Sequence, residues 1–132
     1  MKLERKWRLA RADAQLVGSI SREVQKALGT SVQQVYIVPE TVRHYQERHG
    51  YEFDVAKAER LLSGVLERPL YVVGGRKINS VTFVGEFDAE HYLMVPVKIL
   101  TNELWQETLY IRNKTRFERS IGSMTVFYRG KK

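Results

Sequence analysis

The chain of 132 residues contains no cysteine. That excludes disulfides, thiolate zinc sites, iron–sulfur clusters and cysteine nucleophiles. It also lacks any apolar run near the roughly 18 residues that a bilayer-spanning helix needs. The charged start Met1–Trp7 has no apolar stretch behind it, so no secretory signal and a cytoplasmic setting are expected. Histidine is scarce, at three residues. His44 and His49 are five apart, which on a helix turns them about 140° from each other and matches no zinc signature. His91 falls in a turn with Asp88 and Glu90. No metal and no cofactor are expected.

What is abundant is positive charge: the net charge is +7, and the hydrophobic fraction of 43% suffices for a core. Residues 1–30 carry a net +4 and residues 110–132 a net +6, whereas 31–109 carry −3. A basic C-terminal stretch on an acidic middle is a footprint for phosphate, equally compatible with plain solubility.

Apolar positions Leu9, Ala12, Leu16, Val17, Ile20, Val24, Ala27 and Leu28 recur at helical spacing, which predicts an amphipathic helix over 8–28. Gly18-Ser19 can break it, Ser21 can cap a second piece and Gly29 ends it. Residues 1–33 therefore read as a helical extension, docked on the domain or used to form a homodimer. Residues 34–132 read as an α+β domain. Val35–Val38 predicts a strand, and Pro39 opens a helix that Gly50 closes. Asp54 caps a further helix ending before Pro69. Beyond Pro69 the period turns from helical to alternating. Leu70–Val73, Asn79–Phe87, Tyr92–Leu100, Glu103–Arg112 and Met124–Arg129 predict strands joined by short turns, hence antiparallel neighbours. The expected architecture is N-terminal helices on one face of a four- to five-stranded antiparallel sheet.

Alternation places Leu93, Val95, Val97 and Ile99 toward the core and Lys98 away from it, with Pro96 marking an edge or bulge. On the next predicted strand Trp105, Leu109 and Ile111 face the core. Gln106, Thr108, Tyr110 and Arg112 face the other way. A hydroxyl, a phenol, a guanidinium and the Lys98 ammonium on one face are donors for phosphate and a ring for base stacking, although antiparallel sheets commonly keep one wet face. On the helix, Val42, Tyr45 and His49 share one side, and Glu40, His44 and Arg48 another. His49 is thus the structural histidine, His44 the exposed one beside a cation.

The order strand, helix with His44-x-x-x-Arg48-His49-Gly50, helix ending Leu66-Glu67-Arg68-Pro69, strand Leu70–Val73, then Val97-Lys98 and Thr108-Leu109-Tyr110, resembles the phage-associated nucleases grouped with barnase, EndoU-, colicin- and RelE-type RNases (the BECR fold) over about residues 34–130. The resemblance implies a bacterial or phage-encoded, toxin-like, metal-independent RNase with helices packed on an antiparallel sheet. It implies a helix histidine, His44 or His49, the strand lysine Lys98, the pair Thr108 and Tyr110, and a later basic residue, Arg112 or Arg129. It supplies no clear general base. On this expectation His44 carries the proton transfer, Lys98 and Arg112 bind the phosphate, Thr108 orients it, and Tyr110 stacks a base or supports proton transfer. Arg48, Lys114, Arg116 and Arg129 are the expected nucleic-acid contacts. RNA (tRNA or rRNA) is the expected partner, together with an inhibitor or phage protein, and no membrane. The competing expectation is a non-catalytic nucleic-acid-binding or phage structural module.

Overall fold

The computed structural model describes residues 13–75 and 77–130. The chain runs β1 (Gln15–Ser19), α1 (Arg22–Leu28), β2 (Gln34–Ile37), α2 (Pro39–His49), α3 (Val55–Glu67), β3 (Tyr71–Gly74), β4 (Ser80–Glu86), β5 (His91–Leu100), β6 (Glu103–Gln106), β7 (Tyr110–Asn113), α4 (Lys114–Ser120), a 3-10 turn (Ile121–Ser123) and β8 (Val126–Arg129). This is the expected α+β class. The sheet, however, is eight-stranded and mixed, in the order β1-β2-β6-β5-β4-β3-β8, with β7 also paired to β5. All its pairs are antiparallel except β2 with β6. Its helices are interleaved with the strands, and α4 follows seven of them.

The helix expected over 8–28 is corrected. Residues 8–12 lie outside the described residues, and 15–19 form a strand paired with β2. Only Arg22–Leu28 is helical, capped by the Ser21 hydroxyl, which accepts from the Val24 amide at 3.2 Å, and closed by Gly29 at φ 69°. Tertiary packing overrides the helical period. A Cβ at Gly18 would stand 3.1 Å from Leu66 Cδ1 and 3.3 Å from Ser63 Cα, so β1 lies close against α3. A mid-helix glycine would in addition cost about 1 kcal/mol. The sheet therefore continues across the expected boundary at 33/34.

The second correction concerns Glu103–Arg112. Gln106 pairs with Val97 and Tyr110 with Met94, so Glu107, Thr108 and Leu109 stand opposite only Val95 and Pro96. Proline has no amide to donate, and the ladder opens there. The Glu107 amide still reaches the Pro96 carbonyl at 2.9 Å. One extra residue reverses the facing of everything before it. Leu104 consequently enters the core, while Trp105 and Gln106 exchange the sides expected of them; Leu109, Ile111, Tyr110 and Arg112 keep theirs. Gln106 is buried and its Nε2 donates to the Thr108 carbonyl at 3.1 Å, which ties the bulge together from the core side.

One sheet face carries α1, α2 and α3 over a core of Val81, Phe83, Leu93, Val95, Val97, Leu104 and Leu109 with Val24, Tyr45, Leu62 and Leu66. The helix pair is joined by the Tyr45 hydroxyl, which donates to Glu59 Oε2 at 2.6 Å; burial, then that carboxylate, raises the phenol pKa. α3 meets β4 at Gly85, where an added Cβ would collide with the Val65 side chain. Gly85→Ala is therefore expected to destabilise the fold by about 1–3 kcal/mol through overpacking. Chemical denaturation would check this, and an unchanged midpoint would contradict the close α3–β4 approach.

The opposite face is not the wet face that alternation suggested. Val73, Val84, Tyr92 and Met94 form a second core there, plugged by Phe117 of α4. α4 begins where Asn113 Oδ1 accepts from the Arg116 amide at 3.1 Å.

Candidate active site and nucleic-acid interface

The α4 face has two ends along β5. At one end α4 lies on the sheet. At the other, Ser80 and Trp105 flank Lys98 on the neighbouring strands, and Tyr36 follows Trp105 on β2. Strands are about 4.8 Å apart, so Tyr36, Trp105, Lys98 and Ser80 form one row across four strands, spanning about 14 Å. Tyr36 and Trp105 rings are 6.1 Å apart. Trp105 Nε1 donates to Glu103 Oε2 at 3.0 Å, and the Tyr36 hydroxyl to Gln34 Oε1 at 2.9 Å. Gln34, Tyr36, Asn102 and Glu103 also line a shallow hollow at this end.

Glu107 completes the row. Its backbone sits in the bulge, and the Ser80 hydroxyl donates to its Oε1 at 2.6 Å. Ser80 belongs to β4, so the Glu107 side chain reaches across β5, over the Pro96–Lys98 segment. A half-buried carboxylate, held by a hydroxyl whose residue stands opposite Lys98 in the ladder, is thereby assembled from residues far apart in the chain. Glu107 was not among the expected site residues. Its signal was present: a carboxylate on a strand face otherwise assigned to Trp105, Leu109 and Ile111 breaks the binary pattern, and such breaks mark bulges or sites.

The structure distributes the expected site residues as follows. Lys98 is half-buried in the row just described. Thr108 adjoins Glu107 in the bulge, half-buried. Tyr110 pairs with Met94, four residues from Lys98, about 13 Å along the strand. Arg112 pairs with Tyr92, six residues away, about 20 Å. Its guanidinium donates to Ser120 Oγ at 3.1 Å and lies 5.8 Å from the Phe117 ring centre. Arg112 thus holds α4, at the end away from Lys98. His44 is exposed on α2, and α2 packs by Val42 and Tyr45 on the other side of the sheet. The sheet backbone separates it from Lys98, Tyr110 and Arg112. Arg48 is exposed on that same helix. His49 Nδ1 is 2.8 Å from Glu52 Oε2, and its ring is 6.1 Å from that of Phe53, contacts that stitch the turn between α2 and α3.

Of the expected nucleic-acid contacts, Lys114 pairs with Glu86 and lies 5.3 Å from the Tyr92 ring centre, and Arg129 is exposed, 5.4 Å from that of Tyr71. Arg116 is exposed on α4, as is Arg119. Tyr92 donates to Glu118 Oε1 at 2.7 Å; desolvation and then that carboxylate raise its pKa. His91 Nδ1 is 2.9 Å from Asp88 Oδ1 in the β4–β5 turn. Among the described residues no group of three or more His, Asp or Glu side chains is arranged to hold a metal ion, and no helix is long and apolar enough to cross a membrane.

Residues 15–119 match the family model described as phage-Barnase-EndoU-ColicinE5/D-RelE like nuclease3. The chain belongs to this phage-associated, BECR-like nuclease family. The match starts at the first residue of β1, so part of the segment that the sequence resemblance left aside falls within it. No curated protein and no solved structure matches the chain.

Proposed function

We propose that the domain is a metal-independent endoribonuclease whose active site is the Lys98–Glu107 end of the α4 face. The observation that carries this reading is the Glu107 carboxylate, held by Ser80 at 2.6 Å on the same face as Lys98. Cleavage of RNA by its own 2′-hydroxyl needs a base to take that proton and a cation to stabilise the charge gathering on the phosphorus oxygens. Glu107 supplies the base and Lys98 the cation, with Thr108 a donor next to the base; as the 2′-oxygen bonds to phosphorus the bond to the 5′-oxygen breaks, and that oxygen takes a proton from water. Preorganised charge of this kind is commonly the largest contribution to rate. Membership of a nuclease family supports the reaction class. His44, on the far side of the sheet, has no part in the reaction.

The test is incubation of purified protein with mixed tRNA and rRNA in excess EDTA. The expected products carry 5′-hydroxyl and 2′,3′-cyclic phosphate ends, and DNA of the same sequence stays whole because it lacks the nucleophile. Failure to cut any RNA, with RNA still bound, would instead favour a non-catalytic nucleic-acid-binding module. The exposed Arg116, Arg119 and Arg129 are the observation on that side.

A further inference from the structure

We infer that Gln106 is a positioning residue for the reaction: from the core side of the sheet its side-chain amide supplies the hydrogen that Pro96 lacks, and so holds Glu107 and Thr108 in the bulge on the Lys98 face. The inference rests on the ribonuclease reading above and adds to it a residue that touches no substrate.

The need for Gln106 comes from the backbone. The Pro96 carbonyl accepts from the Glu107 amide at 2.9 Å, so it points toward the bulge. In an antiparallel ladder the amide and the carbonyl of one residue point to the same neighbouring strand. Another residue at this position would therefore offer an N–H beside that carbonyl, and proline has none. A carbonyl of the bulge is left without a ladder donor. Gln106 Nε2 donates to the Thr108 carbonyl at 3.1 Å in its place.

Gln106 pairs with Val97 and faces the core, and Leu109 is buried in that core as well. Between these two inward anchors only Glu107 and Thr108 remain, both half-buried. The bond from Gln106 to the Thr108 carbonyl spans Glu107 and closes a small ring of chain around it. Ser80 holds the other end of Glu107, at Oε1. The candidate base is thereby fixed at its backbone from the core side and at its carboxylate from the Lys98 side.

The fold concedes stability for this bond. Gln106 is 3% exposed, and its Oε1 has no hydrogen-bond partner among the described residues. A buried carbonyl oxygen without a donor is unfavourable, and an apolar side chain of similar shape removes that penalty. A position serving the fold alone would be better filled by methionine, which has the length of glutamine and packs readily. Concessions of this kind gather at functional sites.

The test compares Gln106→Met and Gln106→Leu with wild type in the full chain. Both should melt at or above the wild-type temperature. RNA cleavage should lose about 100-fold in kcat, the effect of a misplacement near 1 Å, with KM within about twofold. By NMR, the Glu107 amide should exchange its hydrogen about tenfold faster, the scale of one lost hydrogen bond, while amides of α3 keep their wild-type rates. A merely structural side chain gives the opposite pattern, a lower melting temperature with kcat unchanged per folded molecule. That pattern overturns the inference, as does wild-type exchange at Glu107 in both variants. If wild type cuts RNA and both variants cut it equally well, the positioning role falls and the ribonuclease reading stands. If wild type cuts no RNA, that reading falls; faster exchange at Glu107 still supports the hold on the bulge, and unchanged exchange overturns it.

Discussion

Glu107→Gln is expected to lower RNA turnover by about 100- to 10,000-fold, the span of a positioned acid–base group. The glutamine keeps the size of the side chain and can still accept the Ser80 hydroxyl through its amide oxygen. It cannot take a proton. Binding of an uncleavable RNA should therefore survive, and the loss should appear in kcat with KM little changed. Lys98→Ala removes a cation from the developing phosphate charge and is expected to cost about 100- to 1,000-fold by the same kind of argument. His44→Ala, assayed alongside, should turn over RNA as wild type does, because α2 packs on the other face of the sheet. Steady-state cleavage of a short fluorogenic RNA separates these cases. Full activity in Glu107→Gln, or a collapse in His44→Ala, would show that the Ser80–Glu107–Lys98 end of the sheet is not where the chemistry occurs.

Much of the fold can be read from local signals, and the failures have specific causes. Pro39, Asp54 and Pro69 delimit α2 and α3, because each acts through its own backbone or a near neighbour. The Leu93–Val95–Val97 face of β5 follows from alternation alone. β1 could not be found this way: its residues have helical spacing, and only the tight Gly18–α3 approach and the pairing with β2 make it a strand. The Ser80–Glu107 pairing is hidden by one residue of register. Reading Glu103–Arg112 as unbroken put Trp105 in the core and left Glu107 without a role, whereas Pro96, on a different strand, opens the ladder and turns both residues over. Pro96 was read as a bulge signal, but the bulge falls on its partner strand, which no local pattern identifies. Lys98 was placed on the correct side because its own strand is regular up to that point. Arg112 was placed on the correct side as well. The cover that α4 forms over that end of the face, with the Arg112 guanidinium on Ser120, carries little periodic signal, being a two-turn helix.

That cover leads to the largest expected change in stability. Phe117 is fully buried and contacts Tyr71 and Tyr92, with ring centres at 5.5 and 5.4 Å. An isolated helix of this length is not stable in water, so α4 persists through its contacts with the sheet. Phe117→Ala removes the plug and leaves a cavity, expected to cost about 3–5 kcal/mol. For a domain of 132 residues this lowers the melting temperature by about 10–20 °C. Arg112→Ala loses the hydrogen bond to Ser120 and the cation over the Phe117 ring, an expected cost of about 1–2 kcal/mol. Both variants, assayed well below their melting temperatures, should retain the larger part of RNA turnover, because Lys98 and Glu107 stand at the other end of β5. Calorimetry and the cleavage assay together decide the matter. Were Arg112 a phosphate ligand, Arg112→Ala would leave the melting temperature in place and take the activity away; as the clamp on α4 it does the reverse.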